Sequence, residues 1–226
     1  MTVKICATIT GSTMREIERV IKKAEKDSAD LIEIRIDYVQ GKYSLRDVRK
    51  LSALPLIATN RPVRENGLFK GSEEERIRIL SLAANSGFDF IDVELSTDDS
   101  KEIIKRMMDT GAKTIISSHI LCSTPHLSTL DLILKRELET HATINKLVTF
   151  AKTFQDNLTI LNFVQVSSKQ SNIVCFCMGE LGITSRLVTP LVGGFLTYAS
   201  LQKGKESAVG QLTLSEMRRF YSVFGA

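Results

Sequence analysis

Tryptophan is absent from this chain, tyrosine occurs four times and histidine three, and apolar runs are short. Each scarcity excludes a class of function. Stacking aromatics are few, and the formal charge of +4 is spread among interleaved acidic residues, so nothing forms a nucleic-acid stripe. No run approaches the roughly 20 apolar residues of a spanning helix, and Met1-Thr2-Val3-Lys4 lacks a signal-peptide core. His119, His126 and His141 are too few for a histidine-rich metal site. Cys6, Cys122, Cys175 and Cys177 are too few to staple 226 residues, and Cys175-Phe176-Cys177 is not a C-x-x-C motif. Buried thiols in a reducing cytoplasm are the expectation, with no membrane and no nucleic-acid partner.

What is present is an ordinary globular composition, 43% hydrophobic and 25% charged. Short β-rich runs alternate with amphipathic stretches from end to end. The predicted strands are Val3–Ile9, Leu31–Asp37, Pro55–Asn60, Phe90–Leu95, Lys113–His119, Thr143–Thr149, Asn172–Met178 and Gly194–Ala199. Thr13-Met14-Arg15-Glu16 reads as a capping box ahead of the apolar face Ile17, Val20, Ile21 and Ala24. Ser72-Glu73-Glu74-Glu75 and Thr213-Leu214-Ser215-Glu216 open two further helices, and Thr124-Pro125 reads as an N-cap followed by an N1 proline. Strands recur about every 25–30 residues, as βα units require. Loops are short and no linker interrupts them. The expectation is one domain over residues 1–226, a single (β/α)8 TIM barrel. A doubly wound sheet is the competitor, but no G-x-G-x-x-G follows the first strand.

In a closed barrel the outer strand face packs on helices, while polar side chains near the C-terminal mouth point at the axis. Leu31–Asp37 fits: Ile32, Ile34 and Ile36 share one face, and Glu33 and Arg35 the other. Lys146 shares a face with Ala142, Ile144, Val148 and Phe150, where an ammonium is unfavourable unless the amine becomes neutral. A neutral amine in a dry pocket is what imine chemistry with a carbonyl needs. The plainer alternative is a strand-end lysine whose stem packs while its head reaches water. His119 ends the preceding strand, and adjacent strands lie about 4.8 Å apart, so both side chains can reach one substrate. Thr143, Asn145 and Thr149 are less apolar than a helix-packed face should be. Arg186 and the Ser207–Gln211 loop add a cation with amide and hydroxyl donors, suited to a carboxylate and several hydroxyls.

In this order, Glu33-Ile34-Arg35-Ile36-Asp37, Thr59-Asn60-Arg61, Phe90-Ile91-Asp92-Val93-Glu94, Ser117-Ser118-His119, the Lys146 strand, Met178-Gly179 through Ser185-Arg186, and Gly210-Gln211 resemble the type I 3-dehydroquinate dehydratases. These are Schiff-base lyases of the shikimate pathway, and the resemblance covers nearly the whole chain. It implies a (β/α)8 barrel without metal or organic cofactor, acting on 3-dehydroquinate. Lys146 would be the imine-forming lysine, His119 the general acid/base and Glu65 the carboxylate that orients it. Glu33, Arg35, Arg61, Arg186, Ser207 and Gln211 would bind substrate, with Phe176, Met178 and Tyr198 as apolar pocket lining. Arginine charge and apolar walls would together keep the Lys146 amine neutral. The reading also allows a homodimer through exposed helices, and Gly204–Gln211 as the loop that closes.

Two positions depart from the family. Ile120-Leu121 follows the histidine where the family has Asp-Phe, and Val209 stands where it has proline. The first would alter the electrostatics near His119 and the second would loosen the lid. One rival is a class I aldolase-like barrel; those enzymes bind sugar phosphates after strands seven and eight, where Glu180 would repel phosphate here. The other is a catalytically silent barrel acting as a ligand-binding module.

Overall fold

A computed structural model describes residues 3–225. Eight strands, β1 (Ile5–Ile9), β2 (Leu31–Arg35), β3 (Leu56–Thr59), β4 (Phe90–Glu94), β5 (Lys113–His119), β6 (Ile144–Phe150), β7 (Ile173–Met178) and β8 (Thr197–Ala199), alternate with helices. The helices are α1 (Met14–Lys26), α2 (Leu45–Arg49), α3 (Glu73–Asn85), α4 (Ser100–Asp109), α5 (Leu127–Leu138), α6 (Phe154–Ser167), α7 (Ile183–Val188) and α8 (Leu214–Ser222). All strand pairs are parallel, in the order β7-β6-β5-β4-β3-β2-β1-β8. At the remaining seam the Phe195 amide donates to the Ile173 carbonyl at 2.8 Å, so the sheet is a nearly closed barrel.

The period-two pattern divides the core into layers. Ile32, Ile34, Ala58, Ile91, Val93 and Ile116 face outward into the apolar layer beneath α1–α4 and α8. Leu147, Ile173, Cys175 and Cys177 do the same beneath α5 and α6. Facing the axis, Cys6, Leu31, Ile57, Phe90, Ile115, Ile144, Val174 and Leu196 plug the barrel floor. Each large aliphatic side chain buried this way contributes about 1.5–3 kcal/mol. Above the plug most inward residues are polar, with Val148, Phe176 and Met178 as apolar exceptions, and there the functional groups gather.

Several boundaries differ from the sequence reading. β2 stops at Arg35 because Ile36–Tyr38 forms a 3₁₀ turn. Arg35 holds that turn bidentately through Asp37, at 2.9 and 2.6 Å. β8 is only Thr197–Ala199, since Gly194 and Phe195 bond back to Thr189 and Ile173 instead. Thr124-Pro125 is no cap: α5 starts at Leu127, and the Thr124 hydroxyl donates to the Phe150 carbonyl at 3.1 Å and meets the Thr149 hydroxyl at 2.8 Å. That tether also gives buried Thr149 a polar partner on the helix-packed face. Thr213 and Glu216 form the full capping box of α8. At α1, Thr13 caps Glu16, whose carboxylate reaches the Ser12 amide rather than that of Thr13. Cys6, Cys175 and Cys177 are buried free thiols, but Cys122 is exposed because the β5–α5 loop crosses the surface.

Candidate active site

One cavity opens at the C-terminal end of the barrel, about 550 Å³ including its mouth, within the usual range for small-molecule sites. Every residue given a catalytic or substrate-binding role from the sequence lines it: Glu33, Arg35, Arg61, Glu65, His119, Lys146, Met178, Arg186, Tyr198, Ser207 and Gln211. Phe176 lines it as well. Glu180 does not; it is exposed in the turn after β7, so it offers no argument about phosphate.

Lys146 is buried at the centre of β6, beside Ser117 of β5 and Val174 of β7 in the register. Its surroundings differ from the apolar, arginine-rich setting expected for it. Nζ donates to Asp92 Oδ2 at 2.9 Å and lies 3.7 Å from Glu33 Oε1. The cause is the alternation on β4, which turns Asp92 toward the axis just as Glu33 turns inward on β2. The Tyr198 ring lies against the amine, with Nζ 4.4 Å from its centroid. Tyr198 is thus more than apolar lining, since its buried hydroxyl has no hydrogen-bond partner.

His119 sits two register positions nearer the mouth, opposite Val148, with its side chain 11% exposed. Nδ1 meets Glu65 Oε2 at 2.9 Å. Burial and the Arg61 charge push the imidazole down to about 4 despite the opposing pull of Glu65. At Glu65 burial acts to raise the pKa, but the His119 hydrogen bond and the Arg61 charge outweigh it and hold the carboxyl below its ordinary range. Glu65 reaches this position through a short 3₁₀ turn, Val63–Glu65, closed by left-handed Asn66. The pair fixes the ring and leaves Nε2 as the nitrogen not bonded to Glu65.

The cations divide into engaged and free. Arg35 is committed to Asp37. Arg61 contacts Asp92 Oδ2 at 2.9 Å, Glu94 Oε1 at 2.8 Å and the Ser117 hydroxyl at 2.8 Å, so its charge is matched inside the protein. Arg186 is different. It is buried, its Nε and one terminal nitrogen have no acceptor, and among the described residues no carboxylate pairs with it. It lies over the Phe176 ring at 4.2 Å, and burial lowers its pKa to about 10. At the rim, the Ser207 amide and hydroxyl donate to Gln211 Oε1 at 2.9 and 3.2 Å, and Gln211 Nε2 donates to the Thr8 hydroxyl at 3.3 Å. Thr8 and Thr59 in turn donate to Glu33, at 3.0 and 2.9 Å. The rim loop is anchored by the Val209 carbonyl, which accepts from the Gly179 amide at 3.0 Å.

Sequence reasoning gave no role to Asp92, Glu94 or Ser117. The signal was available: Asp92 and Glu94 alternate with Ile91 and Val93 as Glu33 and Arg35 alternate with Ile32 and Ile34.

The type I 3-dehydroquinase family description matches residues 5–226. A 3-dehydroquinate dehydratase of Dehalococcoides mccartyi is 38% identical over 217 residues, covering 96% of this chain and 94% of that protein. The type I 3-dehydroquinate dehydratase of Clostridium difficile, solved with covalently modified comenic acid, superposes with a TM-score of 0.91 at 25% identity over 98% of this chain and 92% of that one. The Geobacillus kaustophilus 3-dehydroquinate dehydratase shares the fold with a TM-score of 0.90 at 24% identity, covering 100% and 92%. An imidazole–carboxylate pair and a buried lysine at the mouth of a parallel barrel agree with these likenesses, and the chain belongs to the type I 3-dehydroquinase family.

Proposed function

We propose that this chain dehydrates 3-dehydroquinate to 3-dehydroshikimate, with Lys146 as the imine-forming residue and His119 as the acid/base. The observation that carries the reading is one cavity lined by a buried amine, an imidazole fixed by a carboxylate and an arginine without a counter-ion. Lys146 attacks as the free amine, its proton leaving to solvent through the open mouth, while Asp92 and Glu33 hold and aim Nζ. The amine then adds to the C3 ketone, and loss of water leaves an iminium. The iminium accepts the electron pair released when His119 removes the C2 proton, giving an enamine. His119 returns that proton to the C1 hydroxyl as the C–O bond breaks, so a single group serving both steps from one side makes the elimination syn. Hydrolysis of the remaining imine frees the enone product and restores the amine. Glu65 holds the ring tautomer, and Arg186 takes the substrate carboxylate. Glu33, Arg35, Arg61, Ser207 and Gln211 surround the ring hydroxyls, with Met178, Phe176 and Tyr198 as the walls.

On this reading residues 1–226 act as one catalytic unit in the cytoplasm. Free thiols support that compartment, and no helix among the described residues is long and apolar enough to cross a membrane. Exposed Phe154 and Leu158 on α6 support self-association as a dimer.

Borohydride added during turnover of 3-dehydroquinate should leave a mass increment on Lys146, and enone absorbance should appear without it. His119→Ala should keep adduct formation while losing about 10²–10⁴-fold in turnover. An adduct on another residue, or none, rejects the lysine-imine reading.

A further inference from the structure

A line of buried charges runs from the Lys146 amine to behind the cavity wall, and its two outer members are not used by the chemistry above. Arg76 of α3 and Glu94 of β4 are both fully buried, and neither lines the cavity. Arg76 is in charge contact with Glu94 Oε2, and Glu94 Oε1 lies 2.8 Å from Arg61 NH1. Arg61 NH2 lies 2.9 Å from Asp92 Oδ2, and the same oxygen receives Lys146 Nζ at 2.9 Å. The sign alternates at each step from α3 to the amine. Arg76 is held at its outer end by Glu73 at 2.6 Å and by the Thr97 hydroxyl at 2.8 Å.

Burying so many ions is unfavourable. Apolar residues of similar volume are often as stable or more so, and each desolvated ion costs several kcal/mol before pairing returns part of it. The geometry gives the arrangement a use. One oxygen of Asp92 is shared by two cations, so its hold on Lys146 depends on how strongly Arg61 is drawn elsewhere. Glu94 is what draws it, and Arg76 holds Glu94.

We propose that Glu94 and Arg76 are positioning residues for imine formation: by holding Arg61 back, they keep Asp92 on the Lys146 amine and so set its orientation toward the ketone. This deepens the lysine-imine reading and rests on it.

The control is also sensitive to pH. Burial raises the Glu94 carboxyl to about 7, against the pull of Arg61 and Arg76 and with Asp92 and Glu65 pushing the same way as burial. Glu94 therefore changes charge near neutrality. When it is neutral, Arg61 bears harder on Asp92 and the grip on Lys146 slackens.

The rate of borohydride trapping and kcat are measured from pH 5.5 to 9 in the unaltered enzyme, Glu94→Gln, Arg76→Met and Arg76→Lys. The unaltered enzyme should show a step near pH 7 in trapping. Glu94→Gln should lose that step and lower kcat by about tenfold, with KM within about twofold because the residue does not reach the cavity. Arg76→Met removes a cation that favours the ionised carboxyl, so the step should move to higher pH; Arg76→Lys keeps the charge and should leave it in place. A step that stays put in both Glu94→Gln and Arg76→Met overturns the proposal, as does a Glu94→Gln effect confined to KM. If Glu94→Gln fails to fold, the Arg76 pair decides alone. Absence of any adduct in the unaltered enzyme defeats the lysine-imine reading itself, whereas an adduct whose pH dependence ignores Glu94 defeats only this one.

Discussion

Replacing Arg186 by methionine should make the empty protein more stable and the enzyme much worse. The guanidinium is 1% exposed and lacks a carboxylate partner in the described structure. Its fall to about 10 corresponds to about 3 kcal/mol held against the charged form. For a base the sign is clear: the fold disfavours the proton, so the penalty is constant below about pH 10 and is relieved as pH rises through that value. The Phe176 face, 4.2 Å away, returns about 0.5–2 kcal/mol by cation–π attraction. Methionine fills much of the space without the charge, so the balance favours the variant by about 1–2 kcal/mol. At about 2–4 °C per kcal/mol for a chain of this size, Tm should rise by a few degrees. With substrate bound the sign reverses. A carboxylate buried against methionine loses its charged partner, at a cost of about 2–5 kcal/mol. That is roughly 30-fold to several-thousand-fold in kcat/KM, carried mainly by KM since the interaction serves ground and transition states alike. Calorimetry of the unliganded protein and steady-state kinetics with 3-dehydroquinate read the two effects separately. A Tm lowered by several degrees together with an unchanged KM would show that Arg186 is a structural residue and would refute the reasoning.

The His119 value of about 4 predicts an imidazole that is unprotonated throughout the neutral range in the free enzyme. Because its ordinary value, about 6.5, is higher, this group makes stability increase with pH between about 4 and 6.5. An NMR titration of the His119 ring proton reads it directly, and a midpoint above 6 contradicts the burial argument. Gly210 has φ +79°, and a Cβ there would fall 2.2 Å from the Gly179 carbonyl oxygen. Gly210→Ala should therefore shift the loop carrying Ser207 and Gln211, with about 1–3 kcal/mol of local strain, raising KM and lowering Tm by about 2–12 °C. Unchanged KM would show that this loop does not close on substrate.

The two family departures have different settings in the structure. Ile120 donates its amide to the Val148 carbonyl at 2.8 Å, so the backbone after His119 stays tied to β6 whatever the side chain. Val209 is exposed, and its carbonyl still holds the Gly179 turn at 3.0 Å. In both, a backbone bond maintains the local path; at Val209 the backbone also gains the freedom in φ that a proline ring would remove.

The sequence by itself determined the βα order and which strand faces are covered by helices, because those faces needed apolar residues at every second position; the same alternation left a doubly wound sheet as the competitor. Ile32 and Ile34, or Ile91 and Val93, leave their polar neighbours nowhere to point but the axis. Once Glu33, Arg35, His119 and Lys146 were directed inward, their meeting at one mouth followed from closure of the barrel. Charge pairing was decided only by the tertiary structure, because partners are set by register between strands distant in the chain. Asp92 meets Lys146 across 54 positions and Arg61 reaches Glu94 across 33. Neither spacing carries a periodic signal. For the same reason the sequence could suggest an apolar setting for Lys146 when its neighbours are carboxylates, and could not tell that Arg61 is spoken for while Arg186 is free. Alternation along a strand is local and can be read from the chain; the coincidence of opposite charges inside a barrel comes into being only when the sheet closes.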